Sequence, residues 1–208
     1  KLKKKIPVAA GLGGGSSDAA SVLLGINRLY DLKLKTGVLI KLAKKLGADV
    51  PFFILDRPFA IGRGIGDELR VVNSDLVLWH LIICPGPKIS TGRIYKMFDA
   101  SSKCLTEDIS DDKISRSLRR KPDFNTVESM LYNDLEDTAI VSKPVTGVIL
   151  ERLAYTMNRR AMISGSGPSV FCLERSRKEA MRAKRKLYAG IPVEEKKSWQ
   201  VFIAKTKI

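Results

Sequence analysis

The sequence is poor in the residues that build metal sites and disulfides. It has one histidine, His80, and three cysteines, Cys84, Cys104 and Cys172, which lie far apart and form no Cys-x-x-Cys pair. No metal-binding residues are therefore predicted, and a zinc site is not expected. Few cysteines in an odd number suit a reducing cytoplasm. His80 stands among apolar residues and is expected to be a core residue with no catalytic role.

Long apolar runs and aromatic clusters are also lacking. The longest apolar stretch, Leu76–Cys84, has the length of a strand, whereas a bilayer requires about 20 residues. The net charge is +15, but no Phe or Tyr is interleaved with the basic clusters, as binding of single-stranded nucleic acid would require. We therefore expect no membrane and no nucleic acid as partner, and interpret the charge as a basic surface that favours anionic ligands.

The composition that remains is that of a globular protein. Of the 208 residues, 44% are hydrophobic and 28% charged, which allows one large domain or two small ones. Mixed helices and strands without strict alternation predict an α+β fold, with residues 1–73 and 74–208 as separate lobes. The predicted strands are Leu2–Val8, Phe52–Leu55, a hairpin or bulged strand at Phe59–Gly66, Val77–Cys84, Ala161–Ser164, Ser169–Leu173 and Trp199–Lys205. The predicted helices are Ser17–Tyr30, Thr36–Gly47, Thr126–Ile140, Val145–Met157 and Arg175–Tyr188, and Ser102–Asp123 is predicted to be a mobile surface segment.

The most informative stretch is a glycine-rich loop between a predicted strand and a predicted helix. It consists of Pro7, Val8, Ala9, Ala10, Gly11, Leu12, Gly13, Gly14, Gly15, Ser16 and Ser17. Glycines let backbone N–H groups approach an anion, and a helix N-terminus adds unpaired N–H groups and a positive dipole end. Serine hydroxyls can bind phosphate oxygens or Mg²⁺, or cap the helix. The loop is thus predicted to bind phosphate, with a capped flexible turn as the alternative.

Two familiar phosphate-binding motifs do not fit this loop. A Walker motif requires lysine directly after its last glycine, and Ser16 follows Gly15. A dinucleotide fingerprint beginning at Gly11 requires Gly or Ala where Ser16 stands. The loop therefore represents another class of phosphate site.

The loop resembles that of the galactokinase, homoserine kinase, mevalonate kinase and phosphomevalonate kinase (GHMP) superfamily. Its long form, Gly-Leu-Gly-Gly-Gly-Ser-Ser-Asp-Ala-Ala from Gly11, resembles one branch, the 4-diphosphocytidyl-2-C-methyl-D-erythritol kinases of the non-mevalonate isoprenoid pathway. Three further blocks are similar to that branch: Leu46–Phe53, Tyr132–Glu136 and Ile163–Phe171. The resemblance runs from Lys4 to about Leu187. It implies two α+β lobes, an incomplete ribosomal-protein-like N-terminal lobe and a ferredoxin-like C-terminal lobe.

The resemblance also implies a chemistry. Members are cytoplasmic, monomeric or weakly dimeric kinases that use ATP and Mg²⁺ to phosphorylate the 2-hydroxyl of the cytidyl diphosphate methylerythritol substrate. Asp49, in Gly-Ala-Asp-Val-Pro, would be the catalytic base, although from the residue alone it could equally stabilise a turn.

Five residues would by resemblance serve the substrate. Gly165, Ser166 and Gly167 belong to the superfamily's third motif, and Thr91 and Tyr95 to a segment that shapes the cytidine pocket. Tyr95 is expected either to stack on cytosine or to be a core tyrosine.

Two other functions remain open at this point, another superfamily kinase (of homoserine or mevalonate) and a basic nucleic-acid-binding module. Because the sequence starts with Lys1 and enters the loop at once, we expect an N-terminal portion to be missing. The family's polarising lysine and most of its cytosine and adenine pockets would lie there. The chain alone is accordingly expected to have little or no activity.

Overall fold

The computed structural model describes residues 2–86, 89–101, 118 and 123–207. These residues divide into two compact units. The helical unit contains residues 13–75, 118 and 207, and the sheet unit contains residues 2–12, 76–101 and 123–206, with the same gap at 87–88. One division of the chain thus falls inside the glycine loop, after Leu12, and another after Asp75.

The helical unit consists of three helices and a β-hairpin. The elements are α1 (Gly14–Leu29), α2 (Thr36–Lys44), α3 (Val50–Leu55), β1 (Ala60–Arg63) and β2 (Glu68–Val71). Of the two forms expected for Phe59–Gly66, a hairpin or a bulged strand, the structure has the hairpin, whose strands pair antiparallel, but its second strand lies beyond the predicted range. The core of the unit is made by Ala20, Leu39, Ala43, Val50 and Ile54. Alanines at two of these positions let the helices approach closely.

Three predictions for this unit are wrong in detail. The predicted strand Phe52–Leu55 is part of α3, and Pro51 lies in its first turn, where a missing N–H costs no helical hydrogen bond. The apolar spacing within the two predicted helices Ser17–Tyr30 and Thr36–Gly47 also predicts that Leu24, Ile26, Val38 and Leu46 face inward, but all four are exposed. The face that each of these helices buries is narrower than the stripe of apolar residues in its sequence.

The sheet unit is a four-stranded antiparallel sheet with helices in its connections. Its elements are β3 (Trp79–Pro85), α4 (Thr91–Ala100), α5 (Phe124–Ser129), α6 (Glu136–Ser142), α7 (Pro144–Met157), β4 (Ala161–Ile163), β5 (Val170–Glu174), α8 (Arg177–Ala189), α9 (Val193–Ser198) and β6 (Trp199–Lys205). The strand order is β4-β5-β3-β6. Helices between β3 and β4 and between β5 and β6 make this the ferredoxin-like β-α-β-β-α-β arrangement, which confirms the predicted fold class.

The core of the sheet unit surrounds the central strand β3. Leu81 pairs across the sheet with Cys172 on one side and Ile203 on the other. Leu81, Ile83, Ile149, Leu153, Ile163 and Val170 have no exposed surface. β3 has neighbouring strands on both edges and helices packed on one face, and a strand in this position is expected to consist largely of apolar residues.

Other predictions for the sheet unit require correction. Leu2–Val8 forms no strand; it pairs with none of the described strands, and Leu2 and Val8 are exposed. The predicted helix Thr126–Ile140 is two helices, because the Asn133 side chain accepts a hydrogen bond from the Leu135 N–H and favours a turn there. α9 was not predicted. Ser102–Asp123 lies outside the described residues except for Leu118 and Asp123, as does Cys104. Among the helices of the described residues, none has the length and apolarity of a membrane span.

Candidate active site

The first half of the glycine loop is held by the turn between β4 and β5. The Ser164 hydroxyl donates to the Gly11 carbonyl oxygen at 2.7 Å, and the Ser169 N–H donates to the Ala10 carbonyl oxygen at 3.2 Å. A Cβ on Gly11 would lie 2.1 Å from the Ser164 carbonyl oxygen, and its φ of +73° is unfavourable for other residues. Both restrictions explain why glycine stands at this position.

The turn itself, residues 164–169, is braced by the block Tyr132–Glu136. The Asn133 Nδ2 donates to the carbonyl oxygens of Ile163 at 2.9 Å and of Gly165 at 2.8 Å. The Glu136 Oε2 accepts from the Ile163 N–H at 3.0 Å. No role was predicted from the sequence for the residues of this block. Their hydrogen bonds go to backbone N–H and C=O groups, which leave no signal in residue types.

The turn also meets the N-terminus of α4. The hydroxyl oxygens of Thr91 and Ser166 are 3.0 Å apart, so that four of the five predicted substrate residues are brought together: Thr91, Gly165, Ser166 and Gly167. Tyr95 follows Thr91 by one helical turn and shares its face of α4. Its side chain is 52% exposed, so the alternative that Tyr95 is a core residue is wrong.

The second half of the loop lies in the helical unit, where it forms the start of α1. Gly13 has a φ of +63°, and a Cβ there would lie 2.9 Å from the Phe53 ring. No side chain caps α1, and its first turn has no acidic residue. A Cβ on Gly15, by contrast, would meet no atom within 4 Å. The start of this 16-residue helix therefore has a dipole polarity that favours an anion, beside a glycine whose Cβ position is open with respect to the described residues.

Asp49 lies at the start of α3, in the same unit. It precedes Phe53, which contacts Gly13, by one turn on the same helical face. Asp49 is exposed and makes no capping hydrogen bond, and the turn before α3 is closed by the backbone, from the Val50 N–H to the Gly47 carbonyl oxygen. The turn therefore does not depend on the Asp49 side chain, whose carboxylate is accessible.

The other reactive side chains of the sheet unit are held in the core. His80, expected to be a core residue, is partly buried in β3 with its ring centroid 6.1 Å from that of Phe171, and burial lowers its pKa, which favours the neutral form. Burial raises the pKa of Cys172 to about 12 and also raises that of Cys84. Neither thiol is a nucleophile at neutral pH. Within the ranges that the structure describes, no three His, Cys, Asp or Glu side chains are grouped to hold a metal.

Comparison with known proteins first defines the class. The model of the GHMP kinases N terminal domain matches residues 1–57. A crystal structure of 4-(cytidine 5'-diphospho)-2C-methyl-D-erythritol kinase superposes with a TM-score of 0.77 at 32% identity, covering 98% of this chain and 69% of that one. The chain therefore has the GHMP kinase fold.

Curated relatives narrow the class to one branch. The 4-diphosphocytidyl-2-C-methyl-D-erythritol kinase of Pelobacter propionicus is 43% identical over 193 residues, 91% of this chain and 64% of the relative. That of Syntrophus aciditrophicus is 38% identical over 205 residues, 99% of this chain and 68% of the relative. The chain belongs to the 4-diphosphocytidyl-2-C-methyl-D-erythritol kinase family, as its motifs predicted. It spans a little under two thirds of the length of the first of these two relatives.

Proposed function

We propose that the protein transfers the γ-phosphate of ATP to the 2-hydroxyl of 4-diphosphocytidyl-2-C-methyl-D-erythritol. The observation that carries this proposal is a glycine loop of the family's long form that leads into the N-terminus of the 16-residue helix α1. Membership of the family supports the acceptor, and favours it over homoserine or mevalonate. We further propose that the enzyme acts in the cytoplasm as a monomer or weak homodimer, with no nucleic acid or membrane partner.

The roles of the loop follow from its two halves. In this proposal Gly13, Gly14 and Gly15 bring the start of α1 close to the phosphates, with the Cβ position of Gly15 open, while Ser16 and Ser17 offer hydroxyls. The residues from Pro7 to Leu12 set the path of the backbone through the bonds to Ala10 and Gly11. Such a cradle stabilises charge that spreads over the γ-phosphoryl oxygens during transfer.

Asp49 acts in this proposal as the base. Its accessible carboxylate accepts the proton of the attacking hydroxyl, while orientation of that hydroxyl contributes more than base strength, because the transition state is loose. The oxygen donors Ser16, Ser17 and Asp49 suit Mg²⁺, which in kinases is bound through few protein ligands and the substrate phosphates. The metal would neutralise phosphate charge.

The test of the proposed function is an acceptor panel assayed with the intact protein. ATP consumption and product mass are measured with the cytidyl substrate, homoserine and mevalonate in turn. We expect turnover with the cytidyl substrate alone. Turnover of homoserine or mevalonate, or of none of the three, would contradict the proposal.

Asp49→Asn tests the base, because the amide is nearly isosteric but cannot accept the proton. We expect kcat to fall by about 10²–10⁴-fold with little change in substrate affinity. The matched control is Asp56→Asn at the opposite end of α3, where the residue is in the left-handed region that Asn also tolerates. A kcat within a few-fold of the wild type in both variants would show that Asp49 is not the base.

A further inference from the structure

The turn between β4 and β5 is closed by two backbone hydrogen bonds of its own, from the Ser164 N–H to the Ser169 carbonyl oxygen at 2.8 Å and from the Gly167 N–H to the Ser164 carbonyl oxygen at 2.9 Å. It also contains two glycines at positive φ, Gly165 at +55° and Gly167 at +77°, a conformation that glycine adopts freely and can also leave freely. The turn carries Ser164 and Ser169, which bond to the carbonyl oxygens of Gly11 and Ala10. The path of the first half of the glycine loop thus depends on how firmly this turn is held, and bonds from outside the turn add to its own two.

Asn133 supplies bonds from outside the turn. Its single amide nitrogen donates to carbonyl oxygens on the two sides of Ser164, those of Ile163 and Gly165. Its amide oxygen accepts from the Leu135 N–H at 3.0 Å, so that the amide group is itself held by the backbone before α6. One side chain therefore links the backbone on both sides of Ser164 to the backbone that precedes α6.

Glu136 completes the brace from the first turn of α6. Its carboxylate oxygen accepts from the Ile163 N–H, at the residue whose carbonyl oxygen Asn133 binds. The backbone N–H and C=O groups of Ile163, which point away from the sheet, are thus both bonded to side chains of the block Tyr132–Glu136. Ile163 itself is fully buried in the core of the sheet unit, so the brace also connects the turn to that core.

We propose that Asn133, supported by Glu136, is a positioning residue that acts through Ser164 on Gly11 and so sets the backbone of the phosphate loop. The kinetic consequence rests on the proposed kinase function, whereas the structural consequence does not. Asn133 touches no reacting atom in this proposal. Its effect on catalysis arises because a misplaced loop weakens the alignment of the phosphates.

Asn133→Asp in the intact protein removes only the two hydrogen bonds that Asn133 donates. Asp keeps an oxygen that accepts from the Leu135 N–H but has no N–H to donate. The matched control is Asn27→Asp in the helical unit. Asn27 donates to the Leu34 carbonyl oxygen at 3.3 Å and accepts from its N–H at 3.0 Å, so the same change removes a comparable clamp away from the loop.

The first readout is hydrogen exchange of the amides of residues 9–12 without substrate. We expect Asn133→Asp to accelerate this exchange about tenfold or more, and Asn27→Asp to leave it unchanged. Unchanged exchange in Asn133→Asp would overturn the proposal. Because no substrate is present, this outcome is independent of whether the protein is a kinase.

The second readout is a double-mutant cycle on kcat/KM with Ser164→Ala, which removes the hydroxyl that bonds to Gly11. We expect a fall of about 10–100-fold for Asn133→Asp, and a double variant little worse than the more impaired single variant. Asn27→Asp with Ser164→Ala should be additive. Additive effects for Asn133 and Ser164 would also overturn the proposal, since they would then act separately. Altered exchange in a protein without kinase activity would instead refute the proposed function and leave the brace intact.

Discussion

Gly15 is the residue at which a bound phosphate and an added side chain would compete for the same space. Nothing lies within 4 Å of its Cβ position, and alanine is favoured over glycine in a helix by about 1 kcal/mol. Gly15→Ala should therefore leave the intact protein at least as stable and weaken binding of an ATP analogue about tenfold or more. Titration calorimetry and thermal unfolding measure the two effects.

Gly25→Ala provides the control for this change. Gly25 lies in the same helix, is exposed, and its Cβ position also has no atom within 4 Å. Its variant should gain similar stability and keep its affinity. Wild-type affinity in Gly15→Ala would contradict phosphate binding at the start of α1.

Substitutions of Tyr95 test the proposed binding site for the phosphate acceptor. Its exposed ring on the face of Thr91 is proposed to stack on cytosine, a contact worth about 1–3 kcal/mol in other systems. Tyr95→Ala should raise KM for the cytidyl substrate about 5–100-fold, and Tyr95→Phe should not, because stacking needs the ring alone.

KM for ATP and the variant Tyr155→Ala serve as references for this experiment. Tyr155 lies on α7 and is 93% exposed. An equal rise of KM for ATP and for the acceptor in Tyr95→Ala would argue against a cytosine platform.

At the scale of elements, a helix or strand could be predicted where the local sequence pattern alone decides its structure. β3 and β6 were predicted within two residues of their observed bounds, because each is a largely apolar run bounded by polar or turn-forming residues. α3 was mistaken for a strand, because a six-residue apolar stretch has no period that separates the two structures. The prediction of a strand at Leu2–Val8 was wrong for a different reason. A strand requires a neighbouring strand to pair with, and the local sequence pattern does not show whether one is present.

The candidate site likewise has parts that the sequence predicts and parts that it does not. The glycine loop and Asp49 could be found because their residue types are unusual in sequence. The brace by Asn133 could not, because it joins segments 30 and 32 residues apart through backbone carbonyl oxygens, which every sequence has. Hydrogen bonds to backbone leave little trace in residue identity.

The junction of α5, α7 and β5 should make stability depend on pH. Glu174 ends β5 almost fully buried, with Arg159 at 3.9 Å and with Glu128 and Glu179 nearby. Burial raises the pKa of Glu174, and Arg159 offsets this only in part. The folded state thus keeps a proton that the unfolded state has lost. The free energy of unfolding should fall as pH rises from about 4.5 through the folded pKa.

Glu174→Gln cannot lose this proton, so its stability relative to the wild type should increase from pH 4.5 to pH 7.5. Urea unfolding at several pH values measures the difference, with the exposed Glu151→Gln on α7 as control. A difference that stays constant with pH would mean that Glu174 titrates alike in the folded and unfolded states.

At the scale of the whole molecule, the charge of +15 predicts weak attraction to any polyanion. We expect binding of a 20-nucleotide RNA to be lost between about 0.1 and 0.4 M KCl, because it depends on counterion release. Binding of an ATP analogue at the site proposed at the start of α1 should persist. Fluorescence anisotropy and calorimetry measure the two affinities. RNA binding that survives high salt in a protein without nucleotide affinity would favour a nucleic-acid-binding module.

The position of β3 in the middle of the sheet has a consequence for synthesis on the ribosome. Both of its neighbours, β5 and β6, come later in the chain, and β6 ends at Lys205. At about 5–20 residues per second, the roughly 120 residues after β3 take about 6–24 s to make. Until β5 has been made, the nascent chain carries Leu81 and Ile83 on a strand with two unpaired edges, and the edge that pairs with β6 stays open until Lys205. β3 is therefore the segment of this chain that a ribosome-associated chaperone has most reason to cover.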